Sequence, residues 1–85
     1  MKDLAYYEGL AWDVWIERDL RANGSVNYVA RHPEFGSISG PLGTGATPEE
    51  AMADLREARR ALITLMLERG DLIPEPQPVR SGARA

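Results

Sequence analysis

The chain reads as a small α+β domain in which an antiparallel sheet of three or four strands packs on one long helix. Three observations predict this. Apolar residues alternate with period two from Leu10 to Ile16 and again from Val26 to Ala30. Asn23-Gly24 stands between those runs as a turn. A long apolar stripe at helical spacing then follows Thr47.

Each element has a local reason. Leu4 and Tyr7, with Tyr6, stand at helical spacing between Asp3 and Leu10, enough for a short N-terminal helix of one or two turns. From Leu10 the period changes: Leu10, Trp12, Val14 and Ile16 share one face, and Ala11, Asp13, Trp15 and Glu17 the other. Asp19 to Ser25 supplies turn residues that tolerate positive φ. The second strand carries Val26, Tyr28 and Ala30 on one face and Asn27, Val29 and Arg31 on the other, antiparallel to the first. Pro33 has no N–H to give a ladder, so the strand ends at His32. Phe35 to Ser39 reads as a short third strand, and Gly36, Gly40, Gly43 and Gly45 with Pro41 as a flexible crossing.

Thr47-Pro48-Glu49-Glu50 is the sharpest local signal. Threonine caps a helix, proline fits its first turn, and Glu50 completes a capping box three residues on. The two carboxylates also suit the positive end of the helix dipole. The helix is expected from Pro48 to Arg69, with Ala51, Leu55, Ala58, Leu62, Leu65 and Met66 toward the sheet. Arg56, Glu57, Arg59, Arg60 and Glu68 decorate the far side, and Met52, Ile63 and Leu67 widen the apolar surface. So wide a face over a small sheet points to contact with another chain. Gly70 fits the C′ position, and Pro74, Pro76 and Pro78 stop any continuation.

Size and composition exclude several classes. With 85 residues, 44% hydrophobic, the chain has room for one domain and a thin core, so self-association is a natural source of extra burial. The domain is expected to span residues 1–78, with 79–85 as a flexible tail. A mean hydropathy of −0.35 fits a globular, water-soluble chain. No apolar run approaches a membrane span and the N-terminus carries no signal core. Cysteine is absent, which rules out disulfides and suits a cytoplasmic location. A net charge of −3 argues against direct nucleic-acid binding and suits a basic partner.

Taken together, Tyr7, the strand Trp12 to Ile16, the run Ala30-Arg31-His32-Pro33-Glu34-Phe35-Gly36, the helix start at Thr47 and the exit Gly70…Ile73-Pro74-Glu75-Pro76 resemble the HicB-type antitoxin domain over residues 6–78. The resemblance implies a β-β-β-α core of incomplete RNase H type, with a further short strand in the tail. It implies a partner as well: a small basic HicA-type toxin, an mRNA-cleaving ribonuclease whose active site the antitoxin masks. Two departures stand out. Only Val79 to Ala85 follow the Pro-rich segment, too few for the family's DNA-binding module, so operator binding is not expected. The Gly36 to Thr47 segment is longer than the family's compact form, and Ser37 stands where cysteine is common.

No residue pattern points to catalysis, a cofactor or a metal. His32, the sole histidine, reads as a surface or turn-capping residue beside Pro33. Asp13 and Glu17 share a strand face but stand roughly 13 Å apart in an extended strand, too far to share a metal ion. Gly40 to Gly45 lacks the lysine of a phosphate loop. The arginines of the helix are interleaved with carboxylates that cancel their field. Trp15 breaks the polar face of the first strand: either the N-terminal turn at Tyr6 and Tyr7 covers it, or it anchors a partner. Trp15, Phe35, Ile73, Pro74 and Pro76 are the candidate partner-binding residues. The expectation is a non-catalytic, homo-oligomeric (dimeric or tetrameric) antitoxin-like protein. An orphan regulatory module of the same fold is the alternative, and a nuclease built on Asp13 ranks last.

Overall fold

The computed structural model describes residues 2–36 and 40–76. Helix α1 (Leu4–Glu8) is followed by strands β1 (Trp15–Leu20) and β2 (Val26–Arg31), a 3-10 turn (Pro33–Phe35), strand β3 (Leu42–Gly45) and helix α2 (Pro48–Arg69). The strands make one open antiparallel sheet in the order β1-β2-β3. The long helix packs on one face of it, so the expected α+β class and the short N-terminal helix are both present. No described helix is long and apolar enough to cross a membrane.

The β1–β2 hairpin turns where Asn23-Gly24 indicates. Gly24 adopts a φ of 87°, and Asn23 Oδ1 accepts from the N–H and the hydroxyl of Ser25. The turn is tighter than expected, because Asp19 and Leu20 still belong to β1.

The start of β1 differs from the reading of the sequence. The alternation places a strand from Leu10, yet residues 10–14 form an irregular strap and the ladder begins at Trp15. Donors in the strap go elsewhere. Trp12 Nε1 donates to the Tyr7 carbonyl at 2.9 Å, and the Asp13 N–H donates to Glu34 Oε2 at 2.9 Å. The alternation did identify inward side chains: Val14 packs on the core and Trp12 is half-buried. Side-chain direction and ladder pairing are separate properties, and here only the first was encoded locally.

The third strand also moves. Pro33–Phe35 form a single 3-10 turn where that strand was expected to start, and Ser37 to Ser39 lie outside the described residues. The strand is Leu42–Gly45, inside the segment read as a flexible crossing. Its glycines serve packing. A Cβ built on Gly43 would meet the backbone of Ala51 and Leu55, standing 2.6 Å from Leu55 Cα, and one on Gly45 would stand 2.5 Å from Glu50 Cβ. Helix α2 therefore lies against bare backbone, which only glycine permits.

Helix α2 has the limits expected of it. Thr47 Oγ1 accepts from the Glu50 N–H at 3.1 Å, while Glu50 Oε1 reaches back to the Ala46 N–H at 2.9 Å, one residue beyond the usual box partner. At the other end Gly70 takes a φ of 74°, and Asp71 N–H donates to Met66 O at 2.9 Å, closing a Schellman motif.

The buried stripe of α2 is rotated from the expected face. It consists of Ala51, Leu55, Arg59 and Ile63; Ala58, Leu62 and Met66 are half-buried, and Leu65 is exposed. Ala51 and Leu55 join Ala30 of β2 to form the core, with Val14 and Tyr28 against it. Helix α2 covers β3 and β2, and all six residues of β1 stay exposed.

Residues 71–76 leave α2 without forming a strand and return to the N-terminus. Glu75 accepts from Lys2 Nζ at 2.8 Å and from the Tyr6 hydroxyl at 2.9 Å. These partners hold the Glu75 carboxyl below the usual carboxylate range, the Lys2 hydrogen bond most of all. The tail expected from residue 79 falls outside the described residues.

The glycine contact gives the first prediction. Gly43→Ala should cost about 2–3 kcal/mol, because the new methyl meets helix backbone that cannot yield as a side chain would. For a domain of this size that is a loss of at least 8 °C in Tm, read by thermal denaturation. A Gly24→Asn control in the exposed turn, where no atom lies near the new Cβ, should cost far less.

Candidate functional site

Two surfaces and one buried cluster hold the residues of interest. The first surface is the sheet face away from α2. Ala30, Gly43 and Gly45 point at the helix, so the pairing register sends Trp15, Arg31 and Leu42 outward as one row and Glu17, Val29 and Thr44 as the next. No described element covers this face. Trp15 is 59% exposed, so the N-terminal turn does not cover it. That turn serves Trp12 instead, through the Tyr7 carbonyl.

The second surface is a groove of about 290 Å³ between α2 and the exit segment, walled by Phe35, Leu62, Leu65, Met66 and Pro74 with Arg69 at its side. Two of the five candidate residues, Phe35 and Pro74, meet here. Ile73 and Pro76 are half-buried in the exit segment outside the groove lining, and Trp15 belongs to the sheet face. The five candidates are therefore not brought together: two meet in the groove, one lies on the sheet face, and Ile73 and Pro76 belong to neither surface. Phe35 is also partly spent inside the chain, its ring stacked on Trp12 at 5.3 Å.

The buried cluster is what the sequence did not reveal. Arg59, expected on the solvent side of α2, is 7% exposed, and His32, expected at the surface, is 1% exposed. Arg59 Nη1 donates to His32 Nε2 at 3.1 Å, and His32 Nδ1 donates to the Asp13 carbonyl at 2.7 Å. An arginine only donates, so these contacts fix the neutral tautomer with its proton on Nδ1. Arg59 Nη2 pairs with Glu8 Oε1 at 3.3 Å, and the guanidinium lies 5.9 Å from the Trp12 ring centroid. Arg59 Nε and Glu8 Oε2 are buried without a partner among the described residues. The ion pair therefore uses one arm of the two that a guanidinium and a carboxylate can share.

The cluster is a buried hydrogen-bonded network that ties α1, the strap and the end of β2 to α2. Burial pushes the His32 pKa down, and the Arg59 charge pushes the same way against the Asp13 carbonyl. Both ring nitrogens are engaged, which leaves none free for proton transfer. Asp13 joins through its backbone and not through the carboxylate once weighed for a metal. No group of three or more metal-ligating side chains occurs among the described residues. Two signals could have found the cluster. Arg59 stands four residues from both Leu55 and Ile63, on the buried row of the helix. His32 continues the inward alternation of Tyr28 and Ala30 past the end of β2.

Two outcomes test the cluster. Arg59→Met should lower stability by about 2–3 kcal/mol in urea unfolding, because Glu8 and His32 lose their donor, and a second change, Glu8→Gln, should restore part of it. The second concerns pH. His32 has a lowered pKa when folded, so below about 6.5 the unfolded chain takes up its proton first. Stability from this group is complete above that pH and falls as the pH drops through the range beneath it. In His32→Gln the slope of unfolding free energy between pH 7 and 5 should flatten.

No protein-family model, curated protein or solved structure matches this chain.

Proposed function

We propose that this chain is a non-catalytic, antitoxin-like protein that binds and neutralises a small basic mRNA-cleaving toxin of the HicA type. The observation that carries the reading is Trp15: a large aromatic, 59% exposed, on an edge strand and on a sheet face that no described element covers. Tryptophan in such a place suits a buried anchor of a protein interface more than it suits water. The net charge of −3 matches a basic partner, which would be drawn in by long-range attraction. The groove at Phe35 and Pro74 offers a second apolar contact, suited to self-association into a dimer or tetramer. The resemblance of residues 6–78 to HicB-type domains supplies the toxin class. The protein acts in the cytoplasm, where such a toxin meets mRNA, and it binds the toxin without a cofactor, a membrane or nucleic acid of its own.

Co-expression tests this directly. The reading predicts a small basic reading frame beside this gene, whose product stops growth alone, loses its toxicity with this chain present, and co-purifies with it. Trp15→Ala should weaken the complex by at least about 30-fold in Kd while leaving the thermal unfolding midpoint within a few degrees. Failure to protect and to co-purify would sink the antitoxin reading and favour an orphan module.

A further inference from the structure

The two edges of the sheet are built differently. On β3 the Thr44 N–H donates to Asp54 Oδ2 of α2 at 2.9 Å, so a side chain of the same molecule occupies that edge. On the other side β1 pairs with β2 alone among the described residues, and all six of its residues are exposed. An edge strand needs a device against indiscriminate pairing, and alternating charges are one such device. Glu17, Arg18 and Asp19 occupy the middle of β1. Protection alone does not account for its ends, where Trp15, Ile16 and Leu20 are 59%, 42% and 71% exposed. Apolar ends around a charged centre are the marks of a strand that pairs selectively.

The charge order says what it refuses. A two-fold pairing of two β1 edges is antiparallel, and directly opposed residues then lie on the same face of the joint sheet. The register centred on Glu17 sets Glu17 against Glu17 of a second copy. The register centred on Arg18 sets Arg18 against Arg18 and Glu17 against Asp19. These are the longest overlaps the strand permits, and both oppose like charges, which destabilises a pair. A second copy is the wrong occupant.

We propose that the β1 edge is a docking site for an extended strand of another protein whose central side chains run basic, acidic, basic, with apolar residues on both sides. The two cations lie beside Glu17 and Asp19 on the face away from α2, and the carboxylate lies beside Arg18 on the helix side. Flanking apolar side chains cover Trp15 on the outer face and Ile16 and Leu20 on the helix side, where α2 does not reach. Backbone hydrogen bonds supply the affinity and the charge order supplies the register. The complementary order reads the same in both directions, so it selects composition and register and leaves strand orientation to the ladder. This deepens the antitoxin reading, on which it rests for the identity of the partner.

The probe is a pair of synthetic peptides, one with a lysine–glutamate–lysine centre flanked by valines and a tyrosine, the other with the three charges exchanged. Titrated into the full chain at low salt and followed by amide NMR, the first should shift residues 15–20 at concentrations at least about tenfold lower than the second. The double variant Glu17→Lys with Asp19→Lys should lose that preference while keeping the native spectrum elsewhere. Equal response to both peptides, no response at β1, or an unchanged preference in the variant overturns the proposal. The two readings fail separately. If the variant loses peptide selectivity yet still neutralises and co-purifies with the toxin at wild-type affinity, the antitoxin reading survives and the edge is not where the toxin docks. If the peptides behave as expected and no toxin is bound, the edge proposal stands alone.

Discussion

Among the described residues one buried charge organises the fold. Arg59 sits at the centre of α2 on the face that packs inward, where a guanidinium without partners would be costly. Its partners come from separate parts of the chain: Glu8 from the end of α1, His32 from the end of β2 and, through His32, the Asp13 carbonyl of the strap. Trp12 lies near the same group. Among the described residues the fully buried apolar side chains are few, Tyr7, Ala30, Ala51, Leu55 and Ile63, too little to fix so many segments by shape. Hydrogen bonds of defined direction complete the task, and in the strap they take both the N–H and the carbonyl of Asp13.

The same arrangement accounts for what is left uncovered. Helix α2 is drawn tightly onto β3 by Gly43 and Gly45 and onto β2 by Ala30, so its axis lies to one side of the sheet. Strand β1 consequently has no roof, and the far face of the sheet has no second layer among the described residues. A small domain with one helix cannot cover both edges and both faces. Its exposed apolar residues follow from that geometry, and their charged neighbours on β1 keep the exposure selective.

What could be read in the sequence is what local chemistry controls. The limits of α2 follow from Thr47, Pro48, Glu50 and Gly70, each acting within one turn of its own position, and β2 follows from Asn23-Gly24 and a clean alternation. What could not be read depends on distant atoms. Gly43 and Gly45 look like linker glycines until a helix is placed on them. Arg59 looks like a solvated residue until Glu8 and His32 arrive beside it. Among the candidate binding residues, Trp15 needed the position of α1 to show that it is bare, and Phe35 and Pro74 needed the path of the exit segment to bring them into one groove.

The carboxylate of Asp54 on the β3 edge has a consequence for assembly. A sheet with two open edges can add copies head to tail, β1 of one chain on β3 of the next, and such a contact repeats without closing into a filament. Asp54 takes the Thr44 N–H that the incoming strand would require. Growth in that direction would first have to displace this carboxylate. The two edges of the sheet are therefore unlike, and head-to-tail addition at β3 competes with a contact that the chain already makes within itself.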